Sequence, residues 1–176
     1  SRGLGDVYKR QDKDRSDRST YNLLGGAIGF YGSTLNARQY ATKGYFEKLV
    51  AQVFTGKEKF IPGNPTETSF TTKDRQSWLQ ISYMKYAYHT MAPKFTLGWM
   101  AEMLYSSKNF SENYAATMLQ AADFSPTPHS KIMYNEAFRA NQFLAAGIKP
   151  IFVFNDMFQV RSELYGFMPI FPIKKH

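Results

Sequence analysis

The chain has 176 residues, no cysteine, a net charge of +8 and a mean hydropathy of −0.43. That length can bury one sizeable core without requiring a second domain, and the missing cysteines exclude disulfides, thiolate metal sites and cysteine nucleophiles together. No apolar run reaches the roughly 18 residues of a membrane helix, so a helical membrane bundle is excluded; a β-barrel is not, because its alternating strands average out in hydropathy. Aromatic residues are abundant, with 12 Tyr and 15 Phe, and basic surfaces interleaved with aromatics are how single-stranded nucleic acid is held. Here, however, Lys and Arg are scattered and densest at the two ends, without RNP-like or zinc-knuckle spacing. The excess charge is assigned to solvated loops and turns, and no nucleic-acid partner is expected.

Residues 1–11 (SRGLGDVYKRQ) fit no pattern that follows and resemble a translated cloning adapter. With the charged run DKDRSDRS at 12–19, they define a leader over 1–18 that is read as non-native or disordered. Residues 19–176 are read as one all-β domain. β-type runs fall near 20–33, 43–56, 76–91, 94–106, 142–154 and 157–171, marked by aromatic and β-branched content and turn punctuation. The chain stops directly after the last run, so a fragment is expected. The run at 21–33 is rich in glycine (Gly25, Gly26, Gly29, Gly32), as in a strongly bent barrel strand.

Connections alternate in length. Short turns are expected at 91–94 (MAPK) and around Asn155 and Asp156, and an intermediate link at 34–42. The long connections cover 57–75 and 107–141. Short turns on one side and long loops on the other are how an outer-membrane barrel is wired. The longest connection contains SENYAATMLQ at 111–120, a short helix or β-segment, and then a turn-rich stretch at 125–129. A loop of that length inside a compact domain usually carries function.

In the 94–106 run, Phe95, Leu97, Trp99, Ala101, Met103 and Tyr105 alternate with the smaller or more polar Thr96, Gly98, Met100 and Glu102. About ten residues suffice for a tilted strand to cross the hydrocarbon core. In the last run Phe158, Val160, Leu164 and Met168 alternate with Gln159, Arg161, Glu163 and Tyr165. A lipid-facing arginine would cost about 2–4 kcal/mol at the bilayer midplane, so the polar set is placed in the lumen. The lipid-facing candidates are therefore Phe95, Leu97, Trp99, Met103, Phe158, Val160 and Leu164. Faces for 20–33 and 43–56 remain open.

Catalytic constellations are scarce. His89, His129 and His176 lack metal-ligand spacing, and Gly32–Ser33 lacks the flanks of a nucleophile elbow. Gly44, Gly56 and Gly147 read as strand or turn glycines. Glu47, Glu102 and Glu163 read as lumenal or loop carboxylates in preference to an acid–base pair. No catalytic residue, metal site or cofactor is assigned, and the chain is not read as an enzyme.

Three segments, 34–45 (TLNARQYATKGY), 138–143 (FRANQF) and 167–171 (FMPIF), together resemble the C-terminal BamA/TamA-like surface-antigen barrel of Bacteroidetes patatin-like phospholipases. The resemblance covers residue 19 to the end. The TKGY turn resembles that family's periplasmic hairpin, Pro-Thr-x-Gly-Tyr, with Ala41 in place of the proline. The family's inward-folded sixth loop carries an Arg-Gly-aromatic tip; Arg139 matches its arginine, but Ala140 and Asn141 replace the rest, and alanine resists backbone turns that glycine permits. The resemblance implies a bacterial outer-membrane location and contact with the bilayer and its lipopolysaccharide. It also implies insertion by the barrel-assembly machinery and attachment to missing strands and to upstream POTRA-type and patatin-like hydrolase domains; the hydrolase Ser–Asp dyad has no counterpart here. By the same resemblance Arg139 is a loop-lock candidate, expected to meet Glu163 inside the barrel.

The resulting expectation is an antiparallel meander of about six strands, forming an open curved sheet as part of a transmembrane barrel. It would anchor, display or translocate the attached domain. The competing reading is a soluble aromatic-rich β-barrel or sandwich that binds a ligand or nucleic acid.

Overall fold

The computed structural model describes residues 18–61, 72–108, 114–127, 130–132, 134–155 and 158–170. The leader before Arg18, together with His129 and His176, lies outside the described residues. Among the described residues nine strands form: β1 (Arg18–Ser33), β2 (Gly44–Ile61), β3 (Thr72–Ala92), β4 (Phe95–Ser106), β5 (Ala122–Asp123), β6 (Arg139–Ala140), β7 (Phe143–Asn155), β8 (Phe158–Arg161) and β9 (Leu164–Pro169). A short helix, α1 (Tyr114–Gln120), precedes β5. The main sheet runs β1-β2-β3-β4-β7-β8, with β9 also paired to β7, and every pairing is antiparallel. It is an open sheet curled as a half-barrel.

Two expectations are corrected. β2 and β3 extend past the apolar stretch, to Ile61 and back to Thr72. The charged residues Lys57, Glu58 and Lys59 continue the ladder because Glu58 turns inward, accepting hydrogen bonds from Tyr21 (2.8 Å) and Gln76 (2.5 Å). The last run is interrupted between β8 and β9. Pro150 lies opposite the break: its carbonyl accepts from Ser162 N at 3.0 Å, but it has no N–H to return. Register survives, with Arg161 opposite Ile151 and Leu164 opposite Ile148.

The hairpin ends are staggered. Gly44, where β2 begins, is level with Tyr88 and so with Gly98, three residues inside the start of β4 at Phe95. Phe95 in turn is level with Phe152, three residues short of the end of β7 at Asn155. A step of three residues per hairpin, at about 3.3 Å each against about 9.6 Å for two strand spacings, gives a strand tilt of about 45°. That is the inclination of a barrel wall.

One face of the sheet is filled. The described parts of the connection between β4 and β7 fold back onto it, so Phe124 and Ala140 pack with Met100, Leu104, Phe143 and Ala145, and Phe124 stacks on Phe167 at 5.6 Å. Curling toward this side requires small residues under large rings. Gly98 lies under the Tyr88 ring and Gly147 under the Tyr165 ring, where an added Cβ would come within 2.7 and 2.3 Å. Flat aromatic cover over strand glycines lets the wall bend without leaving a hole.

Gly44 has φ +91°, and a Cβ there would meet the Thr34 carbonyl oxygen at 2.2 Å. Gly26, outward on β1, has nothing within 4 Å of its Cβ position. Gly44→Ala is therefore expected to destabilise the chain by about 3 kcal/mol and Gly26→Ala by nothing, or to stabilise it by about 0.5 kcal/mol. Paired denaturant titrations of the full chain check the contrast.

Candidate functional site

The filled face holds a polar cluster at the short-turn end. Tyr88, Gly98 and Lys149 form one cross-strand row, and Glu163, between residues paired to Ile151 and Ile148, falls opposite Lys149. With no side chain on Gly98, Tyr88 and Lys149 converge. Lys149 Nζ lies 4.0 Å and Arg161 Nη1 3.8 Å from Glu163 Oε1, while the Tyr165 hydroxyl donates to Glu163 Oε2 at 2.6 Å. Lys149 is buried and its ammonium lies 5.4 Å from the Tyr165 ring and 5.9 Å from that of Tyr86. Buried charge is tolerated only with such partners.

Arg161 ties the two ends of the sheet together. Its Nη2 donates to the Ala41 carbonyl at 2.8 Å, linking β8 to the β1–β2 connection. Its guanidinium lies 5.6 Å from the Tyr40 ring and 5.7 Å from Tyr88. Asn36 holds that connection in shape, its side-chain oxygen accepting from Thr42 N and Lys43 N at 3.0 Å each. Tyr40 sits there at φ +55°, the one non-glycine residue described with positive φ. Between the connection and the sheet lies a cavity of about 380 Å³, whose wall carries Arg38, Lys48, Lys131, Lys149, Arg161 and Glu163.

The other face points away from the folded connection. All seven lipid-facing candidates lie on it, in cross-strand rows: Met103 beside Leu144 and Met168, Trp99 beside Ile148 and Leu164, Phe95 beside Phe152 and Val160. Leu97 is level with Pro150, and Phe158 packs on Phe154 with ring centroids 6.0 Å apart. On the same face Leu24, Ile28, Phe30 and Val53 are exposed. Glu102, Arg161 and Glu163 lie on the filled face. Glu47 is a correction: it points outward, opposite Lys85, with Lys85 Nζ at 3.4 Å and the Tyr83 hydroxyl donating at 2.6 Å. An ion pair across adjacent strands offsets the cost that was expected to drive it inward.

The Arg139–Glu163 pairing is also corrected. Arg139 Nη1 donates to the carbonyls of Met118, Leu119 and Ala121 at 3.2, 3.2 and 2.9 Å, and its guanidinium lies 4.8 Å from the Tyr134 ring. The orphan carbonyls at the C-terminal end of α1 need donors, and Arg139 on β6 supplies them. Glu163 is served instead by Lys149, Arg161 and Tyr165. The sequence reading missed Lys149; a lone lysine in the apolar strand FLAAGIKPIFVFN was its signal.

No group of three metal-ligating side chains occurs among the described residues. Glu102 and Glu163 stand in different neighbourhoods of the interior, Glu163 with Lys149, Arg161 and Tyr165, and Glu102 within electrostatic reach of Asp123, Lys48 and Lys131.

Arg139→Ala removes the cation that closes the connection on itself, at a cost of about 2–3 kcal/mol. Limited proteolysis within 107–141 is expected to accelerate at least about fivefold in Arg139→Ala and to stay within about twofold in Glu163→Gln. Equal acceleration in both would restore the lock through Glu163.

The chain matches no protein-family model, no curated protein and no solved structure.

Proposed function

We propose that this chain is part of an outer-membrane β-barrel that anchors, displays or translocates an attached domain, the patatin-like hydrolase implied by the resemblance of residues 34–45, 138–143 and 167–171. The observation that carries the reading is the outward face: a continuous apolar surface across the main sheet, on strands tilted about 45°. On β2 the eleven residues from Tyr45 to Thr55, ten rises apart, cover about 23 Å of depth at that tilt, against about 25 Å for the apolar band of such barrels. Beyond Thr55, which shares a hydrogen bond with Ser77, the face turns to Lys57, Lys59 and Arg75.

Among the described strand residues, the outward acidic and basic side chains within that band are Glu47 and Lys85. They neutralise each other, and they lie near the short-turn edge of the band, where a lysine stem can carry its ammonium toward the headgroups. A water-facing sheet has no comparable reason to expose Leu24, Ile28, Phe30, Phe152, Phe158 and Leu164 together. The folded-in connection supports anchoring over free conduction, because it occupies the inner face with packed side chains.

The two tryptophans separate the readings. Trp99 is on the outward face and Trp78 on the inner one, stacked on Phe54 at 5.0 Å. The full chain, folded into vesicles of brominated phosphatidylcholine, is expected to lose over about half its fluorescence in Trp78→Phe, which keeps Trp99. In Trp99→Phe, which keeps Trp78, little should be lost. Folding in plain buffer with no vesicle association would overturn the proposal and favour a soluble ligand-binding sheet.

A further inference from the structure

We propose that the cavity at the short-turn end of the interior is a binding site for a small organic anion of the phosphomonoester class. This holds whether the outward face meets lipid or water, since it rests on the inner face alone.

The first ground is charge. Five cationic side chains, Arg38, Lys48, Lys131, Lys149 and Arg161, line the cavity, with Glu163 as the carboxylate on its wall. Glu102 lies within electrostatic reach of Lys48, Lys131 and Asp123. Counting Glu102 and Asp123 with Glu163 still leaves five positive charges against three negative, with Lys149 buried, Lys48 and Arg161 half-buried, and Arg38 and Lys131 exposed at the mouth.

The second ground is unused donors. Glu163 approaches Lys149 and Arg161 only at 4.0 and 3.8 Å, beyond hydrogen-bond length, and its other oxygen is taken by Tyr165. The Lys149 side chain is buried with that 4.0 Å ion pair, and Arg161 Nε is buried without an acceptor. A buried guanidinium N–H without an acceptor is costly, and an oxyanion supplies several acceptors at once to it and to the neighbouring lysine. A dianion also matches the surplus of two charges.

The third ground is shape and strain. Tyr40, at the cavity rim, keeps a left-handed backbone that a bulky residue adopts only when its surroundings enforce it, and such strain concentrates at ligand clamps. Phe46 and Tyr86 stack at 4.9 Å, and Tyr88 meets Tyr86 edge-on at 6.3 Å, so the wall between the cations is flat and aromatic. A bare oxyanion would leave most of about 380 Å³ empty. An anion carried on a planar organic body uses both the cations and the rings.

Phenyl phosphate, inorganic phosphate and phenol are the probes, titrated calorimetrically into the full chain folded in nonionic detergent. Phenyl phosphate is expected to bind saturably, about tenfold tighter than inorganic phosphate, and phenol not at all. Lys149→Gln and Lys48→Gln should each weaken phenyl phosphate at least about tenfold, and Lys149→Arg by less than about threefold. Lys57→Gln, outward at the far end of β2, should change nothing. Lys48 takes no part in the Arg161–Ala41 tie, so its variant reports on binding even if a change near Arg161 disturbs folding. No saturable binding of phenyl phosphate, or affinity unchanged in both glutamine variants, would overturn the proposal.

Discussion

The alternation of side chains across a pleated strand is the constraint from which the rest of this structure follows. Each strand must sort its residues into two sets two apart, and a register slip of one residue would exchange the sets. In β4 the outward set is Phe95, Leu97, Trp99, Ala101, Met103 and Tyr105. The inward set is Thr96, Gly98, Met100, Glu102, Leu104 and Ser106, most of it buried beneath the connection. The same parity continues through β7 into β8 and β9, across the gap that Pro150 opens. Because the register holds there, Lys149 and Glu163 meet inside and Ile148 and Leu164 lie side by side outside.

An inner face that carries charge has to supply it with partners, and the β1–β2 connection does part of this. It brings a backbone carbonyl, from Ala41, to an arginine 120 positions away in sequence. Arg161 thereby joins the first hairpin to the last, and the half-barrel is held in its curl from inside as well as by its ladders. At the opposite end Glu58 collects Tyr21 and Gln76, and Lys108 lies over the Trp78 ring at 5.0 Å while donating to Gln120. Burial pulls the Lys108 ammonium below the ordinary lysine range, with the Glu58 carboxylate opposing that fall. The interior thus has polar groups at both ends and an apolar middle built on Phe124, Ala140 and Phe143.

What could be read in the sequence was whatever the period of two controls. The run of alternate apolar residues in β4 and the inward register of Arg161 and Glu163 depend only on local spacing, and the all-β open sheet follows from them with the turn residues. What could not be read depends on neighbours. Nothing in the run GKEKF says that Glu58 will find Tyr21 and Gln76, so β2 looked finished before it was. Glu47 looked like a lumenal or loop carboxylate until the β2–β3 register placed Lys85 beside it. Arg139 was matched to the wrong partner because its acceptors are backbone carbonyls, of Met118, Leu119 and Ala121, at the end of a seven-residue helix. Cross-strand partners and backbone acceptors leave no mark in a single sequence.

The absence of cysteine makes the outward face directly testable by single-cysteine spin labelling along Phe95–Ser106. In phosphatidylcholine vesicles, collision with dissolved oxygen should alternate with a period of two, high at Leu97, Trp99, Ala101 and Met103 and low at Thr96, Gly98, Met100 and Glu102. A flat profile, or ready collision of the outward positions with a water-soluble paramagnet, would contradict a lipid-facing wall.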